Sequence, residues 1–274
     1  MYLTNAIWRK LILFVVAAGS AAWAQQTPVG AMAQLAAGGG QWTTTFTLIN
    51  TGTAAADITL NFFDDNGNAL TLPVFFPETS TSATGASFVA TIDAGAGLLI
   101  QTDALNDALV TGWAQLLSDG EVSGFAVFTD TVSDVQQQEA VVPLDNRNDP
   151  AYLEWFDNIA GFSTGVAVAN ETSTAVTITV VIRDDTGALI STRPVDVPAG
   201  GHTSFDLAST FTETANLRGT LEFDTPAGGQ IAVLALRFNP ETAFTSVPSI
   251  SKSVATGVAN RKQPLVKQPR ATGH

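Results

Sequence analysis

The chain has 274 residues, 45% of them hydrophobic, with 25 acidic side chains against 12 basic ones, a formal charge of −13 and no cysteine. The missing cysteines exclude disulfides, a lipid-modified cysteine behind a leader, and thiolate metal sites. Between Gln25 and Ser251 five arginines stand against all 25 acids, a formal −20, and such a surface repels phosphate backbones, so nucleic-acid partners are not expected.

Residues 1–24 have the form of a secretory leader. Arg9-Lys10 supply the basic start, Leu11 to Ala18 the apolar run, and Ala22-Trp23-Ala24 a small-x-small cleavage site. No later run reaches 18 apolar residues, so the expected product is a soluble chain without a membrane span, periplasmic or extracellular. Residues 25–30 carry Pro28 and read as a loose start. Alternating apolar positions then predict strands over 43–49, 56–63, 69–76, 88–92 and 98–101. Asp64-Asp65-Asn66-Gly67 reads as the tight turn of a hairpin, since Asn-Gly accepts positive φ. A short helical turn is expected over 103–109. Another hairpin, 112–117 with 122–128, is expected around Ser118-Asp119-Gly120, and 140–144 closes the first domain as an edge strand because Pro143 cannot donate to a ladder.

The same order then returns. Thr47-Leu48-Ile49-Asn50 and the run through Leu70 match Val166 to Asn170 and the run through Leu189, with Asn50 and Asn170, and Asp65 and Asp185, each 120 positions apart. A repeat of that length is a copied domain. Strands are expected over 165–169, 175–183, 188–197, 203–207, 219–223, 231–238 and 243–247. The fold class expected is therefore all-β: two tandem antiparallel β-sandwich domains of immunoglobulin-like type after a signal peptide. The boundaries are 1–24 leader, 25–150 first domain with its polar linker Asp145–Pro150, 151–250 second domain, and 251–274 a basic tail without apolar period, read as disordered. The copies differ in one place. Gly67 to Gly95 spans 28 positions where Gly187 to Gly200 spans 13, and the extra stretch, Pro77 to Ala86, is polar, a place for a binding loop or a tolerated insertion.

The chemistry offered is sparse. A Ser-His-acid set needs a histidine, and the choices are His274 at the end of the tail and His202, read as an exposed turn residue after Gly200-Gly201. Asp185-Thr186-Gly187 spells the aspartic-protease triplet, but its counterpart in the first copy has Asn66 in place of Thr, and both sit in turns. Asp64, Asp65, Asn66 and Asn68 gather hard oxygens, as Asp184-Asp185 does more sparsely, and the first cluster is the candidate for a weak calcium site, which makes calcium the one cofactor considered. A carboxylate pair for glycoside hydrolysis is not singled out by anything in the chain. Trp42 and Trp155, set at corresponding entries to the two domains, are the candidates for stacking a sugar, against a role as capping core residues, while Trp113 is expected in the core. Asn170-Glu171-Thr172 is a formal glycosylation sequon.

Three stretches of the first copy, Gln41 to Asn50, Asn61 to Gly67 and Gly112 to Leu116, carry a resemblance. In the second copy Gly161 to Asn170, Gly200 to Ser204, Arg218 to Phe223 and Leu236 to Pro240 continue it. Together they are similar to a family of uncharacterised secreted bacterial proteins with tandem β-sandwich domains. The resemblance implies export and the sandwich fold, and no activity. The expected function is a secreted, non-catalytic structural or interaction module that meets a protein or a polysaccharide. Carbohydrate binding is the alternative, and a hydrolase with a carboxylate pair the third reading.

Overall fold

The computed structural model describes residues 25–104, 108–133 and 136–252. The leader, the centre of the expected helical turn (105–107) and the tail from 253 onward lie outside the described residues; 103–104 and 108–109, which flank that turn, are not helical. The rest is nearly all strand, arranged in four antiparallel sheets.

The first half contributes β1 (Thr27–Ala37), β2 (Trp42–Asn50), β3 (Ala56–Phe63), β4 (Leu72–Phe76), β5 (Thr81–Gly85), β6 (Ser87–Ile92), β7 (Gly97–Thr102), β8 (Val110–Ser118), β9 (Val122–Ser133) and β10 (Gln136–Pro143). They form a sheet in the order β1-β8-β3-β6 facing one in the order β10-β9-β2-β7-β4-β5. The second half contributes β11 (Ala151–Asp157), β12 (Ser163–Asn170), β13 (Val176–Asp184), β14 (Leu189–Val197), β15 (His202–Asp206), a helical turn α1 (Leu207–Thr210), β16 (Arg218–Asp224), β17 (Ile231–Phe238), β18 (Phe244–Val247) and β19 (Ile250–Ser251). Their orders are β14-β13-β16-β11-β19 and β15-β12-β17-β18. Apart from β4, β5 and β19, the two halves therefore share one strand order. Pro143 does lie on an edge strand, as its missing N–H requires.

The insertion is where the halves part. After the turn at 64–68 only a bridge between Phe63 and Ala69 continues the expected hairpin, and the chain then crosses to the facing sheet as β4. The polar stretch expected as a loop forms β5 at that sheet's edge, and β6 returns to pair with β3. In the second half β14 pairs with β13 directly, a true hairpin. The turn at 118–120 likewise joins strands of opposite sheets, so β8 and β9 are no hairpin either. Apolar alternation places a strand's buried face; it does not say which sheet receives it.

Beside β5 and the short β19, two longer strands were not legible as strands. β1 begins inside the stretch expected to be loose, and β11 occupies Tyr152 to Phe156, read as a domain entry. From Ala31 to Ala37 every residue of β1 is buried, because one face packs on β2 and β9 and the other on β12 and β17 of the second half. The sheet containing β12 is also covered on both sides. Val166, Val168, Ile231 and Val233 enter the second half's core, while Ala167, Ala169, Ala232 and Leu234 join the first half's core. Continuous apolar runs are what strands buried on both faces require. Alanines suit the second face, since they let one sheet settle closely on another. The junction is completed by Trp42, stacked on Phe244 with ring centroids 5.9 Å apart, and by Phe128, 5.4 Å from Phe244.

The candidate site at the junction of the two halves

The turn after β3 is built for contact. Asp64 accepts hydrogen bonds from the backbone N–H groups of Asn66 (2.9 Å) and Asn68 (2.8 Å) and from Asn68 Nδ2 (3.1 Å). Desolvation raises its carboxyl, but these bonds together outweigh that and hold it below the usual carboxylate range. Gly67 is left-handed at φ 81°, and a Cβ there would lie 2.1 Å from the Ala199 carbonyl oxygen. Gly201 is as constrained: its Cβ would lie 2.6 Å from the Asp65 carbonyl oxygen. Two glycine-bearing turns, one from each half, thus press backbone to backbone.

That approach delivers Asp65 to His202. The His202 residue is 1% exposed, the reverse of the exposed turn residue expected. Glycines before it allow the first half to cover it. Its Nδ1 lies 2.8 Å from Asp65 Oδ1 and its Nε2 2.9 Å from Gln34 Oε1 of β1. Beside it, the Trp113 indole N–H donates to the Gly200 carbonyl at 2.8 Å, and its ring stacks on Phe63 at 4.8 Å. Trp113 is buried as expected, yet it faces the second half rather than the interior of its own sandwich.

Asn50 and Asn170 explain the conserved spacing of the repeat. Asn50 Nδ2 donates to the carbonyls of Ala54 and Ile92, both at 2.8 Å, and its Oδ1 accepts from Gly52 N. Asn170 Nδ2 donates to Thr174 and Pro198, also at 2.8 Å, and its Oδ1 accepts from Thr172 N. Each closes a turn onto the neighbouring connection. Asn170 is fully buried, so the sequon offers no accessible amide in the folded chain.

Next to Asn170, Glu171 Oε2 accepts from Gln230 (3.2 Å) while Oε1 is shut from solvent without a partner. Burial, then the charge of Asp145, pushes its carboxyl up to about 7, with Gln230 opposing. Glu154 of β11 points into the second core between Tyr152 and Phe156. It is 1% exposed, both oxygens lack a hydrogen-bond partner, and burial pushes it up to about 8 against the opposing influence of Ser249 and Arg147. Arg147 ties the linker to β19: it pairs with Asp145 at 2.8 Å and donates to Ser249 O and Ser251 Oγ.

Two clefts open at this junction. One of about 460 Å³ lies over the uncovered end of the β12 sheet, between Gln34, Gly165, Ala167, Asp206 and Phe238. The other, about 380 Å³, runs between Phe63, Trp113 and Gln115 on one side and Glu171, Thr172 and Gly200 on the other. Both are of a size that takes small ligands.

The residues nominated from sequence do not converge in either. Asp64, Asn66 and Asn68 satisfy one another in their turn, and Asp65 faces His202. Asp184 is bonded to Thr186 and Ala188 within the matching turn, whose Gly187 meets nothing within 4 Å, so the two Asp-Gly corners stand apart. Among the described residues no three His, Asp or Glu side chains gather into a metal-holding group. Trp42 lies in the aromatic junction, at the start of β2, whereas Trp155 lies on β11, the counterpart of β1, so the two are not equivalent. Trp155 is 41% exposed. Missing from the sequence reading were His202 as a buried strut, Gln34 and Glu154. A lone glutamine inside the unbroken apolar run of β1 was the available sign of the second.

No helix among the described residues is long and apolar enough to cross a membrane. No protein-family model, curated protein or solved structure matches this chain.

Proposed function

We propose that the protein is an exported, non-catalytic structural or interaction module built from two immunoglobulin-like sandwiches in tandem, and that it meets a protein or polysaccharide of the cell envelope or its surroundings. The observation that carries this reading is the use made of the reactive side chains. The histidine within the strands holds the halves together through both ring nitrogens, and each acidic turn satisfies its own backbone. A histidine whose two nitrogens are engaged and whose side chain is excluded from solvent is badly placed for general base work. Hydrolytic turnover lost in Asp65→Asn or His202→Gln, with the fold intact, would overturn it; saturable binding to an envelope polymer without turnover supports it.

Carbohydrate binding is the second reading, favoured by Trp155 alone. Its half-exposed ring sits opposite Thr220 on an outward sheet face, a setting in which a pyranose can stack. On a polysaccharide pull-down Trp155→Ala is expected to abolish saturable binding without moving the unfolding midpoint. An unchanged isotherm removes this reading.

Glu154 supplies a separate stability prediction. Gly112 and Gly219 occupy matching places, since their Cβ atoms would strike the carbonyls of Phe63 and Arg183, 120 residues apart. Met32 pairs beside the first, and Glu154 beside the second, through Ala114 and Leu221. Met32 is thus the first half's answer to the same core position. Glu154→Met is expected to stabilise the chain by roughly 2–4 kcal/mol at pH 9 and by less at pH 5. The sign follows from the raised carboxyl: the folded chain keeps this proton up to about 8, the unfolded chain releases it near 4.5, so wild-type stability falls as pH rises between them. Urea melts at the two pH values check it.

A further inference from the structure

One sheet face of the first half has the make-up of an interface, and it stands open among the described residues. It is the outward side of the sheet β10-β9-β2-β7-β4-β5, opposite the buried Phe46, Leu48, Ala126 and Phe128. Strand pairing sets Val141, Val127, Thr45, Gln101 and Phe75 in one row across five strands. The next row runs through Pro143, Phe125, Thr47 and Leu99, and a third holds Ser123, Ile49 and Gly97. Val141, Ile49 and Phe75 are exposed, and Val127, Phe125 and Leu99 only half-buried. None of the three rows carries a charge, although the formal charge between Gln25 and Ser251 is −20. Acids stand at the rim: Glu139 accepts from the Thr129 hydroxyl at 3.2 Å, and Glu78 from the Leu99 N–H at 2.6 Å. A contiguous apolar face of this breadth on so acidic a surface marks a place of association.

The duplication shows what such a face receives. Ala167 and Ala169 stand 120 positions after Thr47 and Ile49, the same offset as Asn170 from Asn50. Ala167 pairs with Leu234 and Ala169 with Ala232, as Thr47 pairs with Phe125 and Ile49 with Ser123. Those four residues of the second half are the ones buried against the first half's core. Their counterparts Thr47, Ile49, Ser123 and Phe125 thus form the same face, uncovered. In the second half its cover is a sandwich layer, with β1 lying on β12 and β17.

We propose that this face pairs the protein with a second copy of itself, the two β2–β9 faces packed on each other about a twofold axis. Charge selects the occupant. Seating the second half's outward sheet here, head to tail, would bury Asp196 and Glu222 against side chains that carry no charge. The same face of a second copy brings no acid with it, and an isologous pair closes on itself. Size agrees. Five strands spaced about 4.8 Å apart and three rows spaced about 6.8 Å apart give about 500 Å² a copy, roughly 1,000 Å² for the pair, the lower limit of a specific interface. Two such sheets pack face to face in the aligned manner of a sandwich.

The test is sedimentation of the mature chain from about 1 to 200 µM, where a monomer–dimer equilibrium with a micromolar dissociation constant is expected. Thr47 lies mid-face, so the axis brings it near its own copy. Thr47→Asp and Thr47→Lys are each expected to weaken the dimer on the order of 100-fold, and their equimolar mixture to restore it as a heterodimer. Val89→Asp, on exposed β6 of the other sheet, is expected to leave it unchanged. A chain monomeric at every concentration, growth beyond dimers, indifference to both Thr47 variants, or a mixture that stays monomeric would overturn the proposal. So would a monomer that holds a polysaccharide or a different protein on this face. Should the Thr47 variants fail to fold, hydroxyl-radical labelling of the wild type decides alone. Phe75 and Phe125 are expected to lose reactivity as the concentration rises while Trp155 keeps its own, and unchanged reactivity at both phenylalanines overturns the pairing.

Discussion

Truncating Trp113 to alanine is expected to destabilise the protein by about 3–5 kcal/mol, the range for a fully buried tryptophan. The residue is 2% exposed and carries two contacts that belong to different halves, the stack on Phe63 and the hydrogen bond to Gly200 O. Trp113→Phe separates them. It keeps most of the stack and loses the indole donor, leaving the Gly200 carbonyl unpartnered at a buried interface, so about 1–3 kcal/mol is expected. Chemical denaturation followed by circular dichroism measures both. If Trp113→Ala were near neutral, the junction would not hold the halves together as described.

The second large effect is expected at Asn170. Replacement by alanine strands the carbonyls of Thr174 and Pro198 and the N–H of Thr172, three backbone groups that one amide now satisfies. Each unsatisfied buried group costs about 1–3 kcal/mol, and water reaches some of them in the relaxed variant, so a loss of about 2–4 kcal/mol is expected. Asn50→Ala is expected to lose a similar amount, because its amide bridges Ala54, Ile92 and Gly52 in the same way. Asn170→Asp tests the donor requirement directly. A carboxylate cannot donate to the two carbonyls, so it is expected to be as damaging as alanine. Equal stability of the aspartate variant and the wild type would contradict the geometry.

The sequence disclosed the strands that alternate. In the second half, 231–238 was read to the residue and the other expected strands to within a few; those of the outer sheet have one dry and one wet face, whereas β12 and β17 are dry on both. What escaped it were β1, β5, β11 and the short β19. β1 has no polar period because a second sheet lies on its back, and β5 has no apolar period because nothing covers it. The turn residues were recognised as turns, but the partner sheet of the following strand is a long-range choice that Asp-Asn-Gly does not encode. The same limit governed the site. Asp65 and His202 are 137 positions apart and belong to different copies, so nothing local in either marks their meeting. His202 follows two glycines, which read as looseness and in fact serve close approach.

The face that β12 and β17 turn toward β1 has a consequence for how many copies such a column can hold. Ala167, Ala169, Ala232 and Leu234 form a socket for one neighbouring layer. At the far end the outward face shows Thr177, Thr179, Asp196 and Glu222, with no comparable small apolar floor. A third unit added there would have nowhere dry to sit. In this pair one copy is the plug and the other the receptacle.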